Sequence, residues 1–451
     1  MKFNLKGKCM VAALTFTLLS FQAESQNQPL SLKNCIQFTL QNHPSVAVYK
    51  YSAQSAAEKI RESKAAFLPS VSGSVGLDYN LKLQTNVIPA GSFSPTETKL
   101  QLGNKFSNSA SIQADQSLFD KSASLGIKTS QVNKEVADLN VSKENETLIY
   151  NTASSYYQAL TYKEKGRLLK ESEKLYETMV GILKLRYEQG VVKKSEYDRA
   201  RVNYNNVQSE IMANTSAYAL AINTLKNHMG LQLDASITIG DSISTVDVSQ
   251  LSLPKSTGLN GNNLIDFQID QKNLELKNLD VLQKKAAFLP TFSMYAKYGG
   301  TAFGTEFVPA LTHWYDYSVV GVKATIPLFS GFKKQSQLAQ SQFSVKSQQF
   351  TNKLNLQNYK LNVENASTEI TSSYVNLKKN KENLTLAKEM MDASTVEYRE
   401  GTTTLSSLLD ADYSYKEART NYTTTLLDYL NAQLSYYKNT GTISEFVNEL
   451  K

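Results

Sequence analysis

The pentapeptide AAFLP stands at Ala65–Pro69 and again at Ala286–Pro290, the first of three anchors that recur in the same order. SLFDK (Ser117–Lys121) and LRYEQG (Leu185–Gly190) follow the first copy, while PLFSG (Pro327–Gly331) and VEYREG (Val396–Gly401) follow the second. Between AAFLP and the Leu-Phe pair the second copy is shorter by about eleven residues, whereas from Leu-Phe to the Tyr-x-x-Gly the spacing agrees to within about one. That is the signature of a length change confined to a loop. The chain is an internal duplication, and each half is much longer than a solenoid repeat.

Proline placement defines what each half contains. None lies between Pro95 and Pro254, and none after Pro327. An interior proline costs a helix roughly 3 kcal/mol, so these tracts permit very long helices. Residues 121–189 and 332–400 are dominated by Ala, Leu, Lys, Glu, Gln, Asn and Ser. At 1.5 Å per residue, a helix of roughly 65 residues reaches about 100 Å. Each such helix is expected to end at its Tyr-x-x-Gly, and a second helix to return over 195–228 and 405–437. In the last one Tyr415, Ala418, Tyr422, Thr425, Tyr429, Ala432 and Tyr436 follow three-four spacing, a coiled-coil seam read as packing rather than as a ligand surface.

After AAFLP the period changes to two. Val71, Gly73, Val75, Leu77, Tyr79, Leu81 and Leu83 fall on one face, and Ser70, Ser72, Ser74, Asp78, Asn80 and Lys82 on the other. The second copy places Phe292, Met294, Ala296 and Tyr298 on one face, and further strand-like runs close each copy near 107–118 and 315–326, in ambiguous register. IPAGSFSPTET and GGTAFGTEF between the runs read as loops. Four long alternating strands suit a membrane-barrel wall, because lipid leaves free strand edges unsatisfied. Four strands cannot close a barrel. Two chains would give eight strands and a filled interior, and three would give twelve and begin to leave a lumen. Tyr79, Tyr295, Trp314, Tyr315 and Tyr317 are candidate membrane-interface aromatics, with ordinary strand packing as the alternative for any one of them.

The first residues carry Lys2, Lys6 and Lys8, an apolar run from Met10 to Phe21, and the small residues Ala23 and Ser25, which reads as a secretory leader. The formal charge is +7, about +5 without the leader, and forms no basic block, so nucleic acid is not an expected partner. Cys35 stands alone in the mature chain and reads as a small helix-face residue. His43, His228 and His313 are far apart and read as a helix boundary, a helix end and a loop residue. No Cys/His ligand spacing, nucleophile elbow or dinucleotide fingerprint occurs. No catalytic residue, metal or cofactor is expected. A coiled-coil envelope structural or adaptor protein without a pore remains the competing class.

Taken together, SLKNCIQFTLQNHPSVAVYKYSAQSAAEKIRESKAAFLP, the two helix-to-Leu-Pro-to-strand junctions and the two Tyr-x-x-Gly tips resemble the TolC-like outer-membrane efflux factors over nearly the whole mature chain. The resemblance implies a mixed α and β membrane protein, internally duplicated. Four β-strands per chain contribute to a trimeric twelve-stranded outer-membrane barrel, continued by a long periplasmic α-helical barrel. It divides the chain into a signal peptide (1–25), a first repeat (26–230; hairpin 70–118, tip near 187–200), an equatorial linker (231–263), a second repeat (264–438; hairpin 291–328, tip near 398–411) and a C-terminal tail (439–451). The function it implies is a duct in the outer membrane of a Gram-negative bacterium, extending into the periplasm, that passively conducts outward the cargo exported by an inner-membrane transporter and a periplasmic adaptor. The implied partners are two further copies of the chain, the adaptor, the transporter and outer-membrane lipid.

In the family the tips constrict the pore. Asp410 matches one acidic ring position and Ser407 stands at the other, so the ring is expected to carry three carboxylates instead of six. Tyr398 and Glu196 match a polar latch between hairpins, Thr403 replaces an arginine of that latch, and Arg399 is a substitute for it. Gly190 and Gly401 are the expected tip turns, with Arg186, Leu408 and Leu409 as adaptor contacts.

Overall fold

The computed structural model describes residues 30–91, 95–241 and 261–450. The leader expected at 1–25, and residues 242–260 of the linker, lie outside them. In chain order the elements are α1 (Leu32–Asn42), α2 (Pro44–Ala65), β1 (Ser70–Tyr79), β2 (Gln84–Ile88), β3 (Thr98–Leu102), β4 (Phe106–Phe119), α3 (Lys121–Glu188), α4 (Lys194–Met229), α5 (Ile265–Ala286), β5 (Thr291–Gly304), α6 (Pro309–Thr312), β6 (Trp314–Thr325), α7 (Lys333–Glu400), α8 (Leu405–Thr440) and α9 (Ile443–Glu449). The two proline-free tracts are helices of 68 residues each, α3 and α7, about 100 Å long at the standard rise. Among the described residues no helix is long and apolar enough to cross a membrane.

The strands form one antiparallel sheet in the order β1-β4-β5-β6, so each duplicated half supplies one hairpin and β4 pairs with β5 across the repeats. A second, two-stranded sheet of β2 and β3, on either side of the loop read at IPAGSFSPTET, extends the first hairpin. The glycine-rich stretch after Tyr298 is strand rather than loop: β5 runs on to Gly304. The reason is steric. A Cβ on Gly299 would lie 2.7 Å from the Ala110 carbonyl, so the glycines let neighbouring backbones and Trp314 approach where a side chain would not fit.

The register settles which residues share a face. Tyr79 pairs with Phe106, Ile112 with Tyr298, Ala114 with Ala296 and Met294 with Val322, a largely apolar surface. The opposite face carries Ser72, Gln113, Asp115, Lys297 and Lys323. A shift between Ser117 and Phe119 flips the parity of β4, which brings Phe119 beside Phe292 with ring centroids 6.2 Å apart. That shift explains why the alternation in this run was ambiguous from sequence.

The helices stack end to end. Helix α4 ends at Gly230 (φ 71°) against His43 and Pro44, where α2 begins, and α8 ends at Gly441 (φ 72°) against Asn263, just before α5. The result is two composite helices, α4 with α2 and α8 with α5, flanking the continuous α3 and α7. At the waist Leu32, Cys35 and Ile36 of α1, Tyr156 and Leu160 of α3, Leu225 and Met229 of α4, Ile370 and Leu377 of α7, Leu426 and Tyr429 of α8, and Ile443 and Phe446 of α9 form one core. Tyr156 donates to Asp241 at 2.6 Å, and a parallel bridge joins Leu30 to Ile239, binding the equatorial segment to α3. Burial pushes the Cys35 thiol up to about 12, with Asp241 adding, so it behaves as a packing group. The tyrosine stripe of α8 packs as read: Tyr429 is fully buried, its ring 5.9 Å from that of Tyr374.

Both helix-end glycines are predicted to be indispensable at the joints but not at the tips. A Cβ on Gly441 would stand 2.4 Å from the Asn263 carbonyl, whereas nothing lies within 4 Å of one on Gly190. Gly190→Ala should therefore cost only the left-handed strain, about 1–2 kcal/mol, and Gly441→Ala several times more, read from denaturant midpoints in detergent. Lys143 and Asp266 pair at 2.6 Å across α3 and α5, and one turn away burial, with Asp266 adding, pushes Glu146 from 4.5 up to about 7. Across that window the folded chain keeps a proton that the unfolded chain has released, so stability should fall as pH rises. Glu146→Gln should flatten the fall.

Candidate functional site

Each tip is closed by a glycine in the left-handed region. Gly190 (φ 73°) donates to the Tyr187 carbonyl at 2.9 Å, and Val191 donates to that of Arg186 at 2.8 Å. Gly401 (φ 78°) donates to Tyr398 at 3.2 Å, and Thr402 donates to Glu397 at 2.9 Å. Both are Schellman-type stops that satisfy the last helix carbonyls. Thr404 then caps α8, its hydroxyl accepting from the Ser407 amide at 3.2 Å. The Ser407 hydroxyl lies 3.0 Å from that of Thr404, so Ser407 belongs to the helix cap.

Beneath the tips lies a second core of Tyr176, Met179 and Leu183 of α3, Ala200 and Val207 of α4, Met391 of α7, and Leu405, Leu408, Leu409 and Ala411 of α8. Leu408 and Leu409 are only 3% and 6% exposed. They were expected to touch an adaptor. In the structure they are packed in the tip core with Leu405 and residues of both hairpins, on the inward face of α8. Arg186 is exposed and sits beside Tyr398.

The polar groups form two sets. Asp410 is exposed, and with it Glu417 and Asp428, seven and eighteen residues further along α8, which fall on the same helix face. The sequence reading found the first of these carboxylates and missed the other two, although their spacing was visible. Tyr398 is half-buried; burial raises its phenol, with Arg186 opposing and Glu196 adding. The hydrogen bond across the hairpins at this level, however, runs from Arg199 to Ser406 at 3.3 Å. Arg399 is exposed and makes no ion pair among the described residues, and Thr403 is partly covered.

One turn above the tip core lies a charge cluster between α3 and α8. Asp412, 5% exposed, accepts from Tyr176 and pairs with Lys416 at 2.9 Å, while the Lys416 ammonium sits 4.2 Å from the Tyr176 ring centroid. Burial and the Asp412 charge push the Tyr176 phenol far above its ordinary value, so it stays the donor. Buried Arg419 lies over the Tyr415 ring at 5.0 Å, with Glu171 at 3.9 Å. Tyr176, Asp412, Lys416 and Arg419, together with Arg199 and Asp410, line a groove of about 900 Å³ on one face of α3, α4 and α8.

At the strands the register divides the five candidate interface aromatics. Tyr79 and Trp314 lie on the apolar face, whereas Tyr295, Tyr315 and Tyr317 lie on the polar one. Tyr295 covers Gly321, the residue opposite it, and Lys297 stands 5.7 Å from the Tyr317 ring centroid. Strand packing thus engages Tyr295 and Tyr317, while Tyr315 is exposed. Tyr298, on the apolar face and well exposed, was not singled out from sequence. Two histidines far apart in sequence meet at the α4–α2 joint: burial lowers His228, with His43 adding, while His43 caps α2 through Ser45.

Comparison with known proteins agrees with this geometry. The chain matches the family described as outer membrane efflux protein over residues 35–231 and 263–442. It is 22% identical to outer membrane protein TolC of Escherichia coli over 97% of this chain and 87% of that one, and 20% identical to the proteases secretion protein PrtF of Dickeya chrysanthemi over 73% and 70%. The crystal structure of the outer membrane protein VceC from Vibrio cholerae superposes with a TM-score of 0.72 at 16% identity, covering 91% of this chain and 96% of that one.

Lys416→Met should leave Asp412 buried beside Tyr176 alone and cost about 2–4 kcal/mol in denaturant titrations. Adding Asp412→Leu should restore most of the loss, since an apolar pair of similar size avoids the buried charge.

Proposed function

The chain belongs to the outer membrane efflux protein family, and on that premise we propose that three copies build one passive duct, gated at the helix tips. The carrying observation is the open sheet. Its edge strands β1 and β6 run antiparallel to each other, so β6 of one copy continues into β1 of the next without breaking the alternation. Strands of 10 to 14 residues are long enough to cross the hydrocarbon core at a barrel tilt. Three copies close twelve strands around a lumen and continue it through the α3/α4 and α7/α8 hairpins.

In this reading the outer membrane holds the sheet, the hairpins extend into the periplasm, and an adaptor with its inner-membrane transporter supplies cargo and energy. The exposed face of α8 lines the passage. Symmetry then assembles Asp410 into a ring at the tip, with Glu417 and Asp428 forming further rings above it, a ladder that favours cations. Opening moves the tips apart at the Arg199–Ser406 contact and the Tyr398–Glu196–Arg186 group. The adaptor shifts this equilibrium only as far as its preference for the open tips allows.

Single-channel recording in planar bilayers tests both parts. Asp410→Asn should lower cation preference, read from the reversal potential in a salt gradient, and adding Glu417→Gln should lower it further. Tyr398→Phe with Glu196→Gln should raise conductance several-fold. Unaltered selectivity would remove the acidic ladder, and an absence of channels from folded protein would remove the duct.

A further inference from the structure

Each of the four long helices that join the sheet, α2, α3, α5 and α7, carries lysine at the junction. The duplicated anchor is in fact KAAFLP: Lys64 and Lys285 hold the same place in the two copies, in the last turns of α2 and α5. Lys121 and Lys333 are the first residues of α3 and α7. All four are exposed, and none is in an ion pair among the described residues. Lys334 beside them lies over the Phe288 ring at 5.9 Å and donates to the Ala287 carbonyl at 2.6 Å.

The helices do not account for this arrangement. A lysine in a last helical turn is favoured by the macrodipole, which suits Lys64 and Lys285, but at a first turn the same dipole opposes a cation. Lys121 and Lys333 therefore sit where the helix disfavours them. The nearby acids are engaged elsewhere: Glu62 with Lys59 at 2.6 Å, Asp280 with Lys284 at 3.6 Å, Asp115 with Gln113 at 2.9 Å, and Asp120 as the cap of α3. At the far end of the strands, by contrast, Lys82, Lys99 and Lys105 are balanced by Asp78, Glu97, Glu306 and Asp316.

An apolar collar adjoins the lysines. Leu68, Phe119, Leu289, Leu328, Phe329 and Phe332 are all exposed, Leu328 at 92%, and Phe119 and Phe292 continue the apolar face of the sheet down to the junction. An apolar band ending in unpaired cations one or two helical turns beyond it is the profile of a membrane interface, where lysine stems lie along the hydrocarbon and the ammonium groups reach the headgroups.

We propose that this junction is a binding surface for anionic phospholipid, in which Lys64, Lys121, Lys285 and Lys333 engage the headgroup phosphates of the leaflet on the helical side while the Leu-Phe collar meets the acyl chains. The proposal rests on the barrel reading above, which places the collar at a bilayer surface. Its occupant is a lipid layer rather than a neighbouring copy, because the lysines repeat in both halves and encircle the junction instead of clustering along one sheet edge. A surface of this kind fixes the depth of the barrel in the membrane, and with it the height at which the tips stand.

The test is lipid association measured with spin-labelled phosphatidylglycerol and phosphatidylcholine, using the full-length assembled protein reconstituted in phosphatidylethanolamine vesicles. Wild type should prefer phosphatidylglycerol at low salt, and the preference should fall as salt rises. Replacing the four lysines by Gln should cut it at least about five-fold, the effect of one fully engaged lysine at an anionic surface. Replacement by Arg should retain it, and Gln at the mid-helix lysines Lys170, Lys174, Lys379 and Lys388 should leave it unchanged. Equal preference in wild type and the junction variant would overturn the proposal, as would loss of the oligomer in that variant, which would assign the lysines to contacts between copies. Conductance recorded on the same preparations separates the readings: channels without lipid preference sink this inference alone, and failure to form channels sinks the duct.

Discussion

The backbone edges of β1 and β6 govern this structure. Ten and twelve residues of extended chain present unpaired amide and carbonyl groups at either side of a four-stranded sheet, and one face of that sheet is apolar. In water such edges invite aggregation, and in hydrocarbon each unpaired group costs several kcal/mol. A single chain of this fold is thus an incomplete object. The even strand count and antiparallel edges make further copies of the same chain a sufficient remedy, and closure then dictates the rest. In the proposed duct, helices leaving a ring of strands stand as a ring themselves, and the long α3 and α7 would carry that ring about 100 Å away.

The second constraint is that a ring of long helices needs a seam wherever two short ones replace a long one. Here the seam is glycine. Gly230 and Gly441 let α4 and α8 end in the left-handed conformation with α2 and α5 pressed against them, so each composite helix keeps its line without a continuous backbone. The equatorial segment and α9 wrap this weak point: Tyr156, Asp241, Leu30 and Ile239 tie it on one side, and Ile443 and Phe446 fill the core on the other. The largest buried cluster therefore sits at the waist, where the helices are interrupted.

Much of this was legible because duplication gives two readings of each boundary. Proline-free tracts, Tyr-x-x-Gly stops and strict alternation fixed α3, α7, β1 and the tips to within a few residues, since each signal depends on local backbone chemistry alone. What escaped depended on contacts between segments. The glycines of β5 read as loop until Ala110 and Trp314 were seen to need their missing side chains, and the aromatics of β6 read as one set until pairing divided them between faces. That Leu408 and Leu409 are buried in the tip core was not legible either, because sequence cannot show a second hairpin lying against them. The β4 alternation failed where a shift at Ser117–Phe119 changed its parity, a tertiary feature with no local signal.

The distribution of packing also says where such a molecule can move. At the waist both hairpins share one continuous core with α1 and α9, whereas the tip core is smaller and draws partly on Ala200, Ala411, Met179 and Met391, small or adaptable side chains. Across the hairpins at the tip, the exposed Arg199–Ser406 hydrogen bond contributes about 1 kcal/mol at most. The tip core is the smaller of the two, so separating the tips costs less than separating the waist, and lower local stability is what a moving element requires. The charge cluster of Tyr176, Asp412 and Lys416 lies between the two regions and resists motion for a different reason. Parting α3 from α8 there would take the Tyr176 donor from a carboxylate that is only 5% exposed, so displacement at the tip meets a steep energetic step at that level. In the proposed gating the cluster sets the upper limit of the movable segment, and the tips below it rearrange without loosening the helices above.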